Sequence, residues 1–165
     1  METQAVSPRL NALLDLYDMQ TDFFKRALVE ISDEDAHKRL DTKANHIAWL
    51  AGSLVQQRFE LAGMFGVAEQ PVANELFKNN QGIRDDISYP SLTVLKDDWK
   101  AISPKLREAL LKASQEKLDS IFEMMPGFSM THYELLTFTI YREASCIGQI
   151  ALWRRLLGYD ALKYD

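Results

Sequence analysis

Arg142 and Cys146 stand four residues apart in the stretch YREASCIGQIALWRRLLG, which runs from Tyr141 to Gly158. Four residues make about one helical turn, so a fixed cation and the chain's single thiol leave one helix face together. Two chemistries suit that pairing. The planar guanidinium fork of Arg142 is built to anchor a carboxylate or phosphate. A positive charge one turn away also favours the Cys146 thiolate, which attacks electrophiles and forms mixed disulfides. Gln149, a further turn along, adds a neutral donor and acceptor to the same space. The plainer readings are an ion pair for Arg142, with Asp18, Asp22 or Glu60 as partner, and an inert buried thiol for Cys146.

A second stretch, HIAWLAGSLVQQRFELAGMFG (His46–Gly66), contributes Ser53. At 100° per residue, Ser53 shares a face with His46, Leu50, Gln57, Glu60 and Met64. The opposite face carries Ile47, Ala51, Val55, Ala62 and Phe65. The mixed Ser53 face has two readings. It is solvated, or it lines a polar pocket opposite Arg142 and Cys146. His46 reads as a helix-start residue rather than a base, and His37 and His132 as surface or cap residues. Trp49, Trp99 and Trp153 read as packing. Asp97 and Asp98 read as a solvated face, because adjacent helical residues do not face each other.

The elements that position these groups are four long helical patterns. The first follows Ser7–Pro8, a cap and first-turn proline, with Leu10, Leu13, Leu14, Tyr17, Thr21, Phe24, Leu28 and Ile31 at helical spacing. Ser32 caps a short helix through SDEDA. The His46–Gly66 pattern is the second long helix. Pro71 and the polar run Lys78–Gly82 mark a crossover. Ser91 caps the third, in which Pro104 predicts a kink or local break. Met125–Thr131 reads as a turn, and Thr131 with Glu134 as a capping box for the fourth. On that helix Cys146 lies within about 40° of Leu135, Thr139, Arg142, Ile150, Trp153 and Leu157, the inward stripe. No alternating β pattern, repeat or linker interrupts the chain. The expected fold is all-α: a four-helix bundle over residues 1–165, one domain, with a long crossover between its second and third long helices.

The totals bound the function. A formal charge of −5 carries no electrostatic footprint for nucleic acid or an anionic membrane. No apolar run reaches the roughly 18 residues of a membrane span, and METQAVSPRL has no apolar signal core. One cysteine allows no internal disulfide, which suits a reducing, cytoplasmic setting.

NHIAWLAGSLVQQRFEL (Asn45–Leu61) and YREASCIGQIALWRRLLGY (Tyr141–Tyr159) together resemble the DinB-like family of four-helix proteins, which includes metal-dependent thiol transferases. Helix order and the long crossover extend the resemblance over most of the chain. Many members hold a divalent metal with three histidines, one in a G-H-L pattern and two in H-E-A-Y-H-x-G-Q. The resemblance places Ser53, Arg142 and Cys146 at those three positions. His46 lies seven residues before the first and does not replace it. Arginine has no lone pair for a metal, and serine is a poor ligand for zinc or nickel. The resemblance therefore implies a vacated metal centre with no metal and no cofactor. Ser53, Arg142, Cys146 and Gln149 are expected to form a pocket for a small anionic ligand in a non-catalytic homologue. The alternatives are a thiol transferase-like enzyme, with Cys146 catalytic or an atypical metal site, and a structural dimerisation module. Ala144, Gly148 and Ala151 form a small-residue strip opposite Cys146, and related proteins often dimerise, so a homodimer is expected.

Overall fold

The computed structural model describes residues 5–165 and is mostly helical, with one small hairpin. Helix α1 (Asn11–Ala27) follows a 3-10 turn at Pro8–Leu10. Ser7 does not cap that turn through its side chain. Its hydroxyl instead donates to Gln115 Oε1 at 2.8 Å, tying this turn to a short helix 108 residues further along the chain. The short α2 (Asp33–Ala36) is capped as expected, Ser32 Oγ accepting from the Asp35 N–H.

Helix α3 (Ile47–Met64) starts where the His46 Nδ1 accepts from the Trp49 N–H at 3.0 Å. The crossover that follows contains α4 (Asn74–Phe77) and a 3-10 turn. Ser91 Oγ caps α5 (Leu92–Leu111), which runs unbroken through Pro104. Of the kink or break expected there, no break occurs. Pro104 removes only the hydrogen bond to the Lys100 carbonyl, and both residues are exposed, so the lost bond falls on the solvent side.

After α6 (Gln115–Asp119) the structure departs further from expectation. Strands β1 (Ile121–Met125) and β2 (Phe128–Thr131) form an antiparallel hairpin across Met125–Thr131, a stretch that reads as a plain turn. Pro126 and Gly127 make the reversal, Gly127 at φ +80°, a value only glycine adopts freely. Helix α7 (His132–Leu156) then begins at a complete capping box: Thr131 Oγ1 accepts from the Glu134 N–H, and Glu134 Oε2 accepts from the Thr131 N–H.

The four long helices enclose the core. α3 packs on α5 and α7, and α1 packs on α7 and α5. Leu135, Thr139, Cys146, Ile150 and Trp153 of α7 are buried, so the inward stripe is as expected. Among the described residues no helix is long and apolar enough to cross a membrane.

Candidate functional site

Arg142 sits at the edge of the buried stripe of α7, half-buried, and reaches across to α3. Its Nη1 donates to Gln57 Oε1 at 2.8 Å and its Nη2 to Ser53 Oγ at 2.5 Å. Gln57 passes the contact back to α7, its Nε2 donating weakly to Thr139 Oγ1 at 3.4 Å. Ser53 and Gln57 of the mixed α3 face therefore line a pocket, while Glu60 and Met64 further along it are exposed. None of the expected carboxylates pairs with Arg142. Asp18 holds Arg107, Asp22 holds Arg26, and Glu60 accepts from Gln56. Both contacts of Arg142 are neutral, so its charge stands uncompensated within ion-pair distance among the described residues.

These residues line a cavity of about 350 Å³, within the range of small-molecule sites. Four elements enclose it. α3 supplies Trp49, Ser53, Gln57 and Glu60, and α7 supplies Leu135, Phe138 and Arg142. The crossover adds Phe77, and the hairpin adds Phe122 and Met124. Half of the lining is apolar, four of those residues aromatic, and the rest is polar: besides the Arg142 corner, the crossover adds Asn80 and Gln81. Two polar atoms in it are buried without any hydrogen-bond partner, Trp49 Nε1 and Gln56 Oε1. The Gln56 amide is oriented by its other end, Nε2 donating to Glu60 at 2.9 Å and Asn74 at 3.0 Å. Reversing it would set its oxygen against two acceptors.

The structure brings Ser53 and Arg142 together, but leaves Cys146 and Gln149 out of the lining. Gln149 is exposed. It lies about 60° from Cys146 at the outer margin of the stripe, and the cavity's cover ends before reaching it. Cys146 is 6% exposed and packs with the apolar core. Burial pushes its thiol up, outweighing the opposing pull of Arg142. A protonated, covered thiol is a poor nucleophile. Among the described residues no group of three His, Cys, Asp or Glu side chains is placed to hold a metal ion.

Sequence reasoning missed a second polar centre. Arg58 and Glu143 form a bidentate pair, Nε–Oε1 at 2.6 Å and Nη2–Oε2 at 2.8 Å, with both side chains wholly buried. Arg58 Nη1 also donates to Thr21 Oγ1 and Ser103 Oγ, each at 2.7 Å. The guanidinium lies 3.5 Å from the Trp99 ring centroid and 4.1 Å from that of Tyr17. Every long helix contributes, so this is a core clasp. Its signal was present: Arg58 falls among Ala51, Val55 and Ala62, the apolar face of α3.

His46 is buried as a cap, with its ring beside those of His37 and Tyr89. Burial first, and then the His37 charge, bring its pKa down to about 4.

No family model matches the chain, and no curated protein matches it. It is similar to a solved structure described as the conserved protein of locus from Enterococcus faecalis, with a TM-score of 0.70. The two are 14% identical over 93% of this chain and 97% of that one. At that identity the likeness shows the fold alone.

Proposed function

We propose that this chain is a cytoplasmic DinB-like four-helix bundle that binds a small organic anion in the Arg142 cavity, without metal and without catalysis. One observation carries this reading: a half-buried guanidinium, fixed by two neutral side chains, lines a cavity with no carboxylate within ion-pair distance of it among the described residues. An uncompensated cation in such a place is stabilised by an anion from outside. The enzyme reading through Cys146 loses support from its burial and raised pKa.

Thermal-shift screening against small carboxylates and inorganic phosphate tests the reading, since a ligand of the folded state raises its stability. At least one anion is expected to raise the melting temperature of the wild type and not of Arg142→Met. Metal analysis of the purified protein is the second arm. A stoichiometric divalent ion, lost on replacing Ser53, Arg142 or Cys146, would overturn the metal-free part.

A second reading concerns assembly. The outward face of α7 exposes Phe138, Tyr141, Leu152 and Leu156, with Gly148 among them. An apolar ridge on a long helix supports a homodimer through that face. Ala144 and Gly148 of the small-residue strip are exposed on its margin and Ala151 is half-buried.

A further inference from the structure

We infer that the cavity selects a monocarboxylate with an aromatic or similarly bulky apolar body and rejects a second negative charge, a specificity that rests on the anion-binding reading above. The polar corner comes first. A guanidinium has five N–H donors, and Arg142 spends two on Gln57 and Ser53. The remaining donors suit one carboxylate, and the fork geometry favours its planar, two-oxygen shape.

The rest of the wall describes the body. Beyond Arg142 the lining is apolar at Leu61, Leu135 and three phenylalanines, Phe77, Phe122 and Phe138, with the neutral amides of Asn80 and Gln81 as further polar groups. At about 30 Å³ for each water-sized group, 350 Å³ holds roughly a dozen such groups. That is far more than a bare phosphate or acetate fills, and an anion without a body would leave the aromatic wall against water. Aromatic walls reward an aromatic occupant through area and ring contacts.

The exclusion comes from Glu60. It lies on the same face of α3 as Ser53 and Gln57, further from Arg142, and lines the same cavity. Glu60 is exposed, and among the described residues its one side-chain hydrogen bond is accepted from the neutral Gln56 amide. A ligand whose carboxylate meets Arg142 therefore carries its far end toward an uncompensated negative charge. An apolar end is tolerated there, and a second carboxylate is repelled.

Isothermal titration of the full chain tests this with four probes. They are 3-phenylpropionate, acetate for the head alone, 3-phenylpropanol for the body alone, and 3-(4-carboxyphenyl)propionate for the dianion. We expect 3-phenylpropionate to bind about tenfold or more tighter than each of the others. Arg142→Met brings it down to the level of the alcohol. Phe138→Ser, at an exposed position that the fold tolerates, weakens it while leaving acetate unchanged. Glu60→Gln raises the affinity of the dianion alone. Acetate or phosphate binding as tightly as 3-phenylpropionate would leave the anion site standing and overturn the ligand class. A dianion bound equally by wild type and Glu60→Gln would overturn the exclusion. No binding by any probe or by phosphate would remove the anion-binding reading with it.

Discussion

A guanidinium sealed from water needs its donors answered, and Arg58 has a carboxylate and two hydroxyls for four of its five N–H groups, with two aromatic rings over its faces. The value of that clasp lies in the pairing of both charges. Removing one partner leaves a buried charge alone. Arg58→Met is therefore expected to cost about 3–5 kcal/mol, a large share of a stability of roughly 5–15. Adding Glu143→Leu should recover most of the loss, because no charge then remains. Urea unfolding of both variants checks this, and a single-variant cost under about 1 kcal/mol would contradict the clasp. His46 supplies the pH response. Its Nδ1 lone pair holds the Trp49 N–H, so protonation there breaks the cap. The folded state keeps it neutral down to about 4, against 6.5 ordinarily, so unfolding takes up a proton between those values. Its contribution is complete above the higher value and is lost as pH falls toward the lower. The urea midpoint should fall over that window, and less steeply in His46→Asn, which keeps a cap acceptor without the titration. An identical slope in the two proteins would exclude His46 as the source. At this scale the site was half legible. Helical geometry left the Ser53 face open between pocket and solvent, and it was the family resemblance that put Ser53 beside Arg142. Helical geometry placed Gln149 wrongly, because angular position sets the face of a side chain but not how far the cover extends.

Elements are held in register here by a glycine. The tip of the Phe77 ring of α4 abuts α3 at Gly52, where a Cβ would meet ring atoms at 2.1–2.7 Å. Phe77 is also a cavity wall, so this contact fixes the crossover as a side of the site. Gly52→Ala should destabilise by about 1–3 kcal/mol through overpacking. Combining it with Phe77→Leu should be less harmful than the sum of the two, since the clash loses its partner. Strict additivity in a double-mutant cycle would argue against the contact. Helix starts were readable because their signals are local: Ser91 and the Thr131–Glu134 box cap two of the long helices, and Ser32 caps the short α2, all with fixed spacing. The hairpin was not, although it roofs the cavity. Its strands are short, Ile121, Met125 and Phe128 are exposed rather than alternating, and the pairing slips between Glu123 and Met125. A strand whose burial does not alternate leaves no period to find. Gly52 was equally silent, since a helical glycine signals only lost propensity until the ring packed on it is seen.

The whole molecule presents its apolar ridge on α7, and its size decides how strong a dimer it supports. From Phe138 to Leu156 the ridge spans 19 residues, about 28 Å at 1.5 Å each, and one helix width of about 10 Å gives on the order of 300 Å². A stable interface buries about 800 Å² on each side. The ridge alone therefore supports a weak pair. Met125 and Phe128 of the hairpin are exposed as well, and Phe122 and Met124 of the same hairpin line the cavity with Phe138, which sits at one end of the ridge. Their inclusion moves the area toward the stable range. The expected behaviour is a monomer–dimer equilibrium with a dissociation constant in the micromolar range. Sedimentation velocity over a concentration series reads it directly. Leu152→Glu, at a side chain 60% exposed, should yield monomer at every concentration with no loss of melting temperature in the dilute limit. A wild type that remains monomeric at the highest concentrations would sink the dimer and leave the ridge as surface. Because Phe138 belongs both to the ridge and to the cavity wall, assembly and ligand binding are expected to be coupled. Saturating 3-phenylpropionate should shift the dimer constant, and the dimer must then shift the ligand's affinity by the same factor.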